Sequence, residues 1–173
     1  VMGLFPPAPP EYARLVTRVD DFAAAVATRC AEDLSCRAGC SDCCLVELTL
    51  SPVEASALAD FVSSLDGESK ATVRRLLSSP LPSDSPRCAM LDASGRCVVY
   101  GGRPLVCRSQ GLPLRYASDL IPVEAVRARL PTGVVTVCPL NFSTREPRAE
   151  DVLDAERVDQ ILAILNHRYA QAL

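Results

Sequence analysis

Apolar positions from residue 11 to about 33 recur every three or four places (Tyr12, Leu15, Val16, Val19, Phe22, Ala23 and Val26), which predicts an amphipathic helix with one face in the core. A second helix opens at Ser51-Pro52-Val53-Glu54. Ser51 is a capping residue, Pro52 suits the first helical position, and Glu54 stands where a capping box needs its acid. It runs to about residue 65, breaks at Asp66-Gly67 and resumes over 69–77. A last helix is expected over about 151–172, with Val158, Ile161, Leu162, Leu165 and Tyr169 on its buried face.

The stretches between carry shorter signals. Residues 45–50 suit a strand or a turn, and 78–86 (SSPLPSDSP) form a polar, proline-rich loop. Asp92-Ala93-Ser94-Gly95 has turn chemistry, so Cys88 and Cys97 flank a hairpin or tight turn. Residues 98–100 look like strand, Gly101-Gly102 a flexible bend, and Arg103-Pro104 an extended entry to Cys107. A short helix is expected over 122–130 and a short strand over 134–137, ending at Cys138. The opening PPAPP makes 1–10 an extended lead-in. The expected fold is mainly α with short β-hairpin segments, one irregular domain over 11–173.

Composition narrows the class. A chain of 173 residues, 49% hydrophobic and 23% charged, is ordinary for a globular domain. Its net charge of -3 offers no basic excess for phosphates, so nucleic acid is not an expected partner. No apolar run approaches the roughly 18–20 residues that span a bilayer. With VMGLFPPAPP at the start lacking a basic region, the expectation is a cytoplasmic protein without membrane contact.

Nine cysteines change the picture. An odd count and uneven spacing disfavour a disulfide framework, and adjacent residues such as Cys43 and Cys44 pair with each other only under strain. Metal ligation accounts for them better. The first group is Cys36-x3-Cys40-x2-Cys43-Cys44, where thiols three and four apart converge on one side of a turn and Gly39 allows a sharp bend. The second is Cys88, Cys97, Cys107 and Cys138, spaced too widely for a zinc ribbon alone. Eight thiolates suit two four-sulfur sites, each a zinc ion or a four-iron, four-sulfur (4Fe-4S) cluster, or one such site plus redox-active thiols. Cys30, on the first helix, reads as a small buried residue. Between Arg87 and Arg115 lie five arginines and one acid, Asp92. Four thiolates around either centre leave roughly two negative charges, which such arginines can offset. Arg103 and Arg108, flanking Cys107, are the candidate cofactor-binding residues.

CRAGCSDCC (36–44) followed by RCAMLDASGRCVVYGGRPLVCR (87–108) resembles a widespread family of bacterial cysteine-cluster proteins described as zinc- or iron-chelating. The family's pattern falls on Glu54, Cys88, Leu91, Gly95, Cys97, Tyr100, Arg103, Pro104, Cys107, Arg108 and Cys138. Met90, where the family often has an aromatic, departs from it. The resemblance implies metal chelation. The flagellin lysine N-methylases look like relatives and supply the one enzymatic hint.

Phosphate-binding loops and nucleophile elbows are missing. Cys36, Cys40 and Cys43 match the spacing of radical enzymes, but the chain is too short for the barrel that chemistry uses. His167, the single histidine, sits near a helix end and suits a dipole or surface role. Glu47 and Glu54 read as a solvated acid and a helix cap. Three classes of function remain: a metal-binding module for redox, sensing or metal handling; a metal-dependent enzyme modifying a protein side chain; and a structural zinc protein acting through an unidentified protein or small-molecule partner.

Overall fold

A computed structural model describes residues 6–45, 48–79, 87–117, 121, 125–126, 128–130 and 133–173. Contacts divide the chain into two compact units. One holds the described residues of Val1–Pro9, Arg37–Pro104 and Asn166–Leu173; the other holds Pro10–Cys36 and the described residues of Leu105–Leu165.

In the second unit the helical period works as expected. Helix α1 (Pro10–Arg29) buries Tyr12, Leu15, Val19 and Val26, one residue per turn or two, and leaves its charged residues outside. Cys30 follows, 2% exposed, and a 3-10 turn at Ala31–Asp33 ends the element. Val26 and Cys30 join Leu112, Leu114, Val137, Phe142 and Ala155 in one core cluster. Helix α4 (Leu105–Ser109) is tied to α1 by Arg108, whose Nη1 lies 2.5 Å from Asp20.

The same unit carries a four-stranded sheet: β1 (Leu114–Tyr116), β2 (Ala128–Leu130), β3 (Gly133–Thr136) and β4 (Leu153–Asp154), in the order β2-β3-β1-β4. β1 and β2 both run antiparallel to β3, and β4 runs parallel to β1. Arg115 bridges β1 to Asp154 at 2.5 Å. Asp151, buried, accepts from Arg29 Nε at 2.9 Å and so ties the end of α1 to the segment before β4.

In the first unit, helix α2 (Pro52–Ser64) begins at the expected cap. The Glu54 carboxylate, 6% exposed, accepts from the Ser51 backbone N–H at 3.3 Å and its hydroxyl at 2.7 Å. Asp66 caps α3 (Gly67–Ser78), accepting from Ser69 N–H at 2.8 Å. The lead-in is fastened through the Pro6 carbonyl, which accepts from Ser56 Oγ at 2.7 Å and from the Tyr169 hydroxyl at 2.5 Å. Helix α5 (Ala155–Ala170), assigned to the second unit through Leu165 and to the first from Asn166, buries Leu165 and Tyr169, while Val158, Ile161 and Leu162 are half-buried.

The fold is mainly α with short β segments, and four expectations need correction. Residues 98–100 form a turn leading into a 3-10 helix (Tyr100–Gly102), not a strand. Of the helix expected over 122–130, Ala128–Leu130 is strand β2, held by ladder bonds to β3; residues 122–124 and 127 lie outside those described. The last helix starts at Ala155, because the preceding residues turn and then pair with β1. Gly101-Gly102 is a packing feature more than a hinge: a methyl built on Gly102 would stand 2.5 Å from the Phe61 ring, and one on Gly101 2.9 Å. The loop at 80–86 and Glu47 lie outside the described residues.

Candidate metal centre

Two loops in the first unit carry five of the expected thiols: Cys40, Cys43 and Cys44 on one, Cys88 and Cys97 on the other. The first turns at Gly39, in the left-handed region at φ +88, and continues in a 3-10 turn at Asp42–Cys44. Cys40 N–H donates to Arg37 C=O at 3.0 Å, and Cys44 N–H to Ser41 C=O at 2.8 Å. The second is the expected tight turn. Asp92 Oδ1 accepts from Ser94 N–H (2.8 Å), Ser94 Oγ (2.7 Å) and Arg96 N–H (2.9 Å), with Gly95 at φ +76. These bonds, the Arg96 N–H first, hold the Asp92 carboxyl below its usual range. An antiparallel bridge between Leu91 and Cys97 closes the turn.

The loops are locked together. Cys88 N–H donates to Cys44 C=O at 2.8 Å. Beyond it, Gly95 packs so closely on the first loop that a methyl there would meet Gly39 O and Ser41 Oγ, each at 3.3 Å. Burial pushes the Cys97 thiol up; a Val99 backbone bond and the Arg103 charge lower it, and the Cys88 charge raises it. A cation bound at Cys97 would offset the burial that disfavours its thiolate. Arg103 lies across the Tyr100 ring, 3.5 Å from its centroid, and its Nε donates to Tyr100 C=O at 2.9 Å.

Cys36, Cys107 and Cys138 belong to the second unit. Cys36 is exposed, and its sulfur accepts from Asn141 Nδ2 at 3.3 Å. Asn141, with 0% exposure, also donates to Gly111 C=O at 2.7 Å and accepts from Ser35 N–H at 2.8 Å. Its own N–H donates to Cys138 C=O at 2.9 Å, so one buried residue touches the chain at both cysteines. Phe142, 1% exposed, sits at φ +51, which costs a residue with a Cβ roughly 1–2 kcal/mol. Its N–H reaches Asp33 C=O at 2.8 Å, which fixes the strained backbone beside Asn141. Gly111, at φ +90, leaves room for the sulfur: a methyl there would lie 2.7 Å from Cys36 Sγ. Cys107 is half-buried on α4.

Sequence reading grouped Cys36 with Cys40, Cys43 and Cys44; contacts place it with Asn141 and Gly111, which sequence reading missed. A proline before and a glycine after a cysteine carry recognisable signals, whereas an asparagine that acts across about a hundred residues carries none. Cys36, Cys40, Cys88, Cys97 and Cys138 stand as thiols outside disulfides. Among the described residues, no three Cys, His, Asp or Glu side chains are gathered at metal-holding distances. The donors nevertheless fit a thiophilic metal: sulfur only, on turns whose backbones are pinned, with arginine near Cys97.

The profile of the family CxxCxxCC, titled "Putative zinc- or iron-chelating domain", matches residues 35–119. Those residues belong to the CxxCxxCC family. The chelating domain covers seven of the eight expected ligands, from Cys36 to Cys107, and leaves Cys138 and Asn141 beyond its end. The first gap of the motif in this chain, between Cys36 and Cys40, is one residue longer than the family's name spells. No curated protein matches the chain, and no solved structure does. No described helix is long and apolar enough to cross a membrane.

Proposed function

We propose that this protein holds a thiolate-ligated metal centre, an iron–sulfur cluster in preference to zinc, and uses it for redox sensing, electron transfer or metal handling. The observation that carries the reading is the locking of the Cys40–Cys44 loop to the Cys88–Cys97 loop through the Cys88–Cys44 backbone bond. Two pinned loops offering five sulfurs supply more donors than a four-sulfur centre needs. Cys40, Cys43, Cys44, Cys88 and Cys97 are the donors for that centre; Cys36, Cys107 and Cys138, in the second unit, are the donors left for a second metal.

A cluster bound there supplies one-electron chemistry. The chain's own residues set its surroundings. Arg103 offsets thiolate charge at Cys97. In the second unit, Asn141 donates an N–H to the Cys36 sulfur, a contact of the kind that supports a metal-ligating thiolate. Cys36 and Cys43 are exposed, and accessible sulfur suits exchange with a partner better than a closed structural site does.

Anaerobic purification followed by metal analysis and a visible spectrum of the same sample tests this. Stoichiometric iron with a broad sulfur-to-iron absorption band is the expected result. A colourless protein holding zinc overturns the cluster, and a folded, metal-free protein overturns chelation itself.

A further inference from the structure

The side-chain amide of Asn141 has no freedom in how it faces Cys36. Its Oδ1 accepts from Ser35 N–H at 2.8 Å, and one Nδ2 hydrogen goes to Gly111 C=O at 2.7 Å. Turning the amide over would set oxygen against the Gly111 carbonyl and nitrogen against the Ser35 N–H, losing both bonds in a fully buried place. The second Nδ2 hydrogen is therefore aimed at Cys36 Sγ, 3.3 Å away, by the backbone. A fixed donor asks the sulfur to be an acceptor, which an anionic or metal-bound sulfur is and a thiol is only weakly. Gly111 completes the arrangement, since any side chain there would displace the sulfur. The Asn141 N–H on Cys138 C=O places the same residue in the turn that follows the last cysteine.

We propose that Asn141 is a positioning residue for Cys36 as a metal ligand of the second unit: it orients the Cys36 sulfur and stabilises it for ligation through a committed N–H···S hydrogen bond, with Gly111 as the space that bond requires. The inference rests on the metal-binding reading above and acts through Cys36, not on the metal directly.

Asn141→Asp keeps an acceptor for Ser35 N–H and removes both donors. Cobalt(II) affinity, measured by chelator competition, is expected to fall about 10–100-fold in Asn141→Asp, the usual effect of losing a partner behind a ligand. Cys36→Ser is expected to weaken binding as well, and the double variant to lose little beyond Cys36→Ser, because Asn141 acts through that sulfur. Additive losses in the double variant, or wild-type affinity in Asn141→Asp, overturn the proposal. A second measurement uses the unaltered protein and does not depend on how the variant folds. In protein loaded with NMR-active cadmium, the Asn141 side-chain N–H is expected to correlate with the metal nucleus through the sulfur. Absence of that correlation while cysteine protons show theirs overturns the proposal and leaves chelation standing. A wild-type protein that takes up no cobalt or cadmium overturns both.

Discussion

At single residues, loss of water acts on two cysteines with different consequences. Cys97 is raised by burial, but Arg103 and a backbone bond pull the other way and a metal would override all three. Cys30 is raised by burial too, with different neighbours. Burial raises its thiol above the ordinary value of 9.0; the Arg145 hydrogen bond lowers it and Asp151 raises it again. A thiol raised by folding contributes stability that is complete below the ordinary thiol range and is lost as pH climbs through the folded value, because only the unfolded chain ionises there. Denaturant titrations under reducing conditions should therefore show stability falling more steeply above pH 9.0 for the wild type than for Cys30→Ala. Parallel pH curves would refute this. The reading of Cys30 as a small buried residue rested on the general behaviour of free cysteine, and the structure buries it just after α1.

At the level of elements, α2 shows where local rules suffice and where they stop. Its start is written in four consecutive residues, and the cap forms as those residues imply. Its partner is not written locally. Gly101-Gly102 reads as a flexible bend, yet both glycines are small because the Phe61 ring lies where their side chains would be. Gly102→Ala should destabilise by about 1–3 kcal/mol, the usual range for overpacking, with Phe61→Leu recovering part of the loss in the double variant. Gly67→Ala is the control: a methyl there meets nothing within 4 Å, so it should be neutral or stabilise by up to about 1 kcal/mol. Urea unfolding of the four variants decides it, and a neutral Gly102→Ala would remove the packing explanation. The strand at Ala128–Leu130 follows the same logic. Its residues permit a helix, and pairing with β3 outweighs that weak preference.

Across the whole molecule, the proposed chelation would tie the loops at 40–44 and 88–97, far apart in the chain, and so couple metal to folding. Removing metal with a strong chelator should lower the thermal midpoint and expose the loops at 36–44 and 88–97 to protease, and restoring metal should reverse both. Identical melting curves and cleavage patterns with and without metal would show that the thiols contribute nothing to folding. The amino-acid sequence by itself determined the helices that carry a strong period or cap, the turn at Asp92–Gly95 and the close spacing of the cysteines at 36–44. Each of these rests on residues a few positions apart, where spacing and geometry are nearly the same thing. Only the tertiary structure decided that Cys36 answers to Asn141 and Gly111, that Phe142 is held in a left-handed conformation, and that the Cys88 backbone closes on Cys44. Those contacts join residues 30 to 109 places apart, from Asn141 with Gly111 to Phe142 with Asp33, and a hydrogen bond or a steric limit across such a distance leaves no periodic trace in the chain.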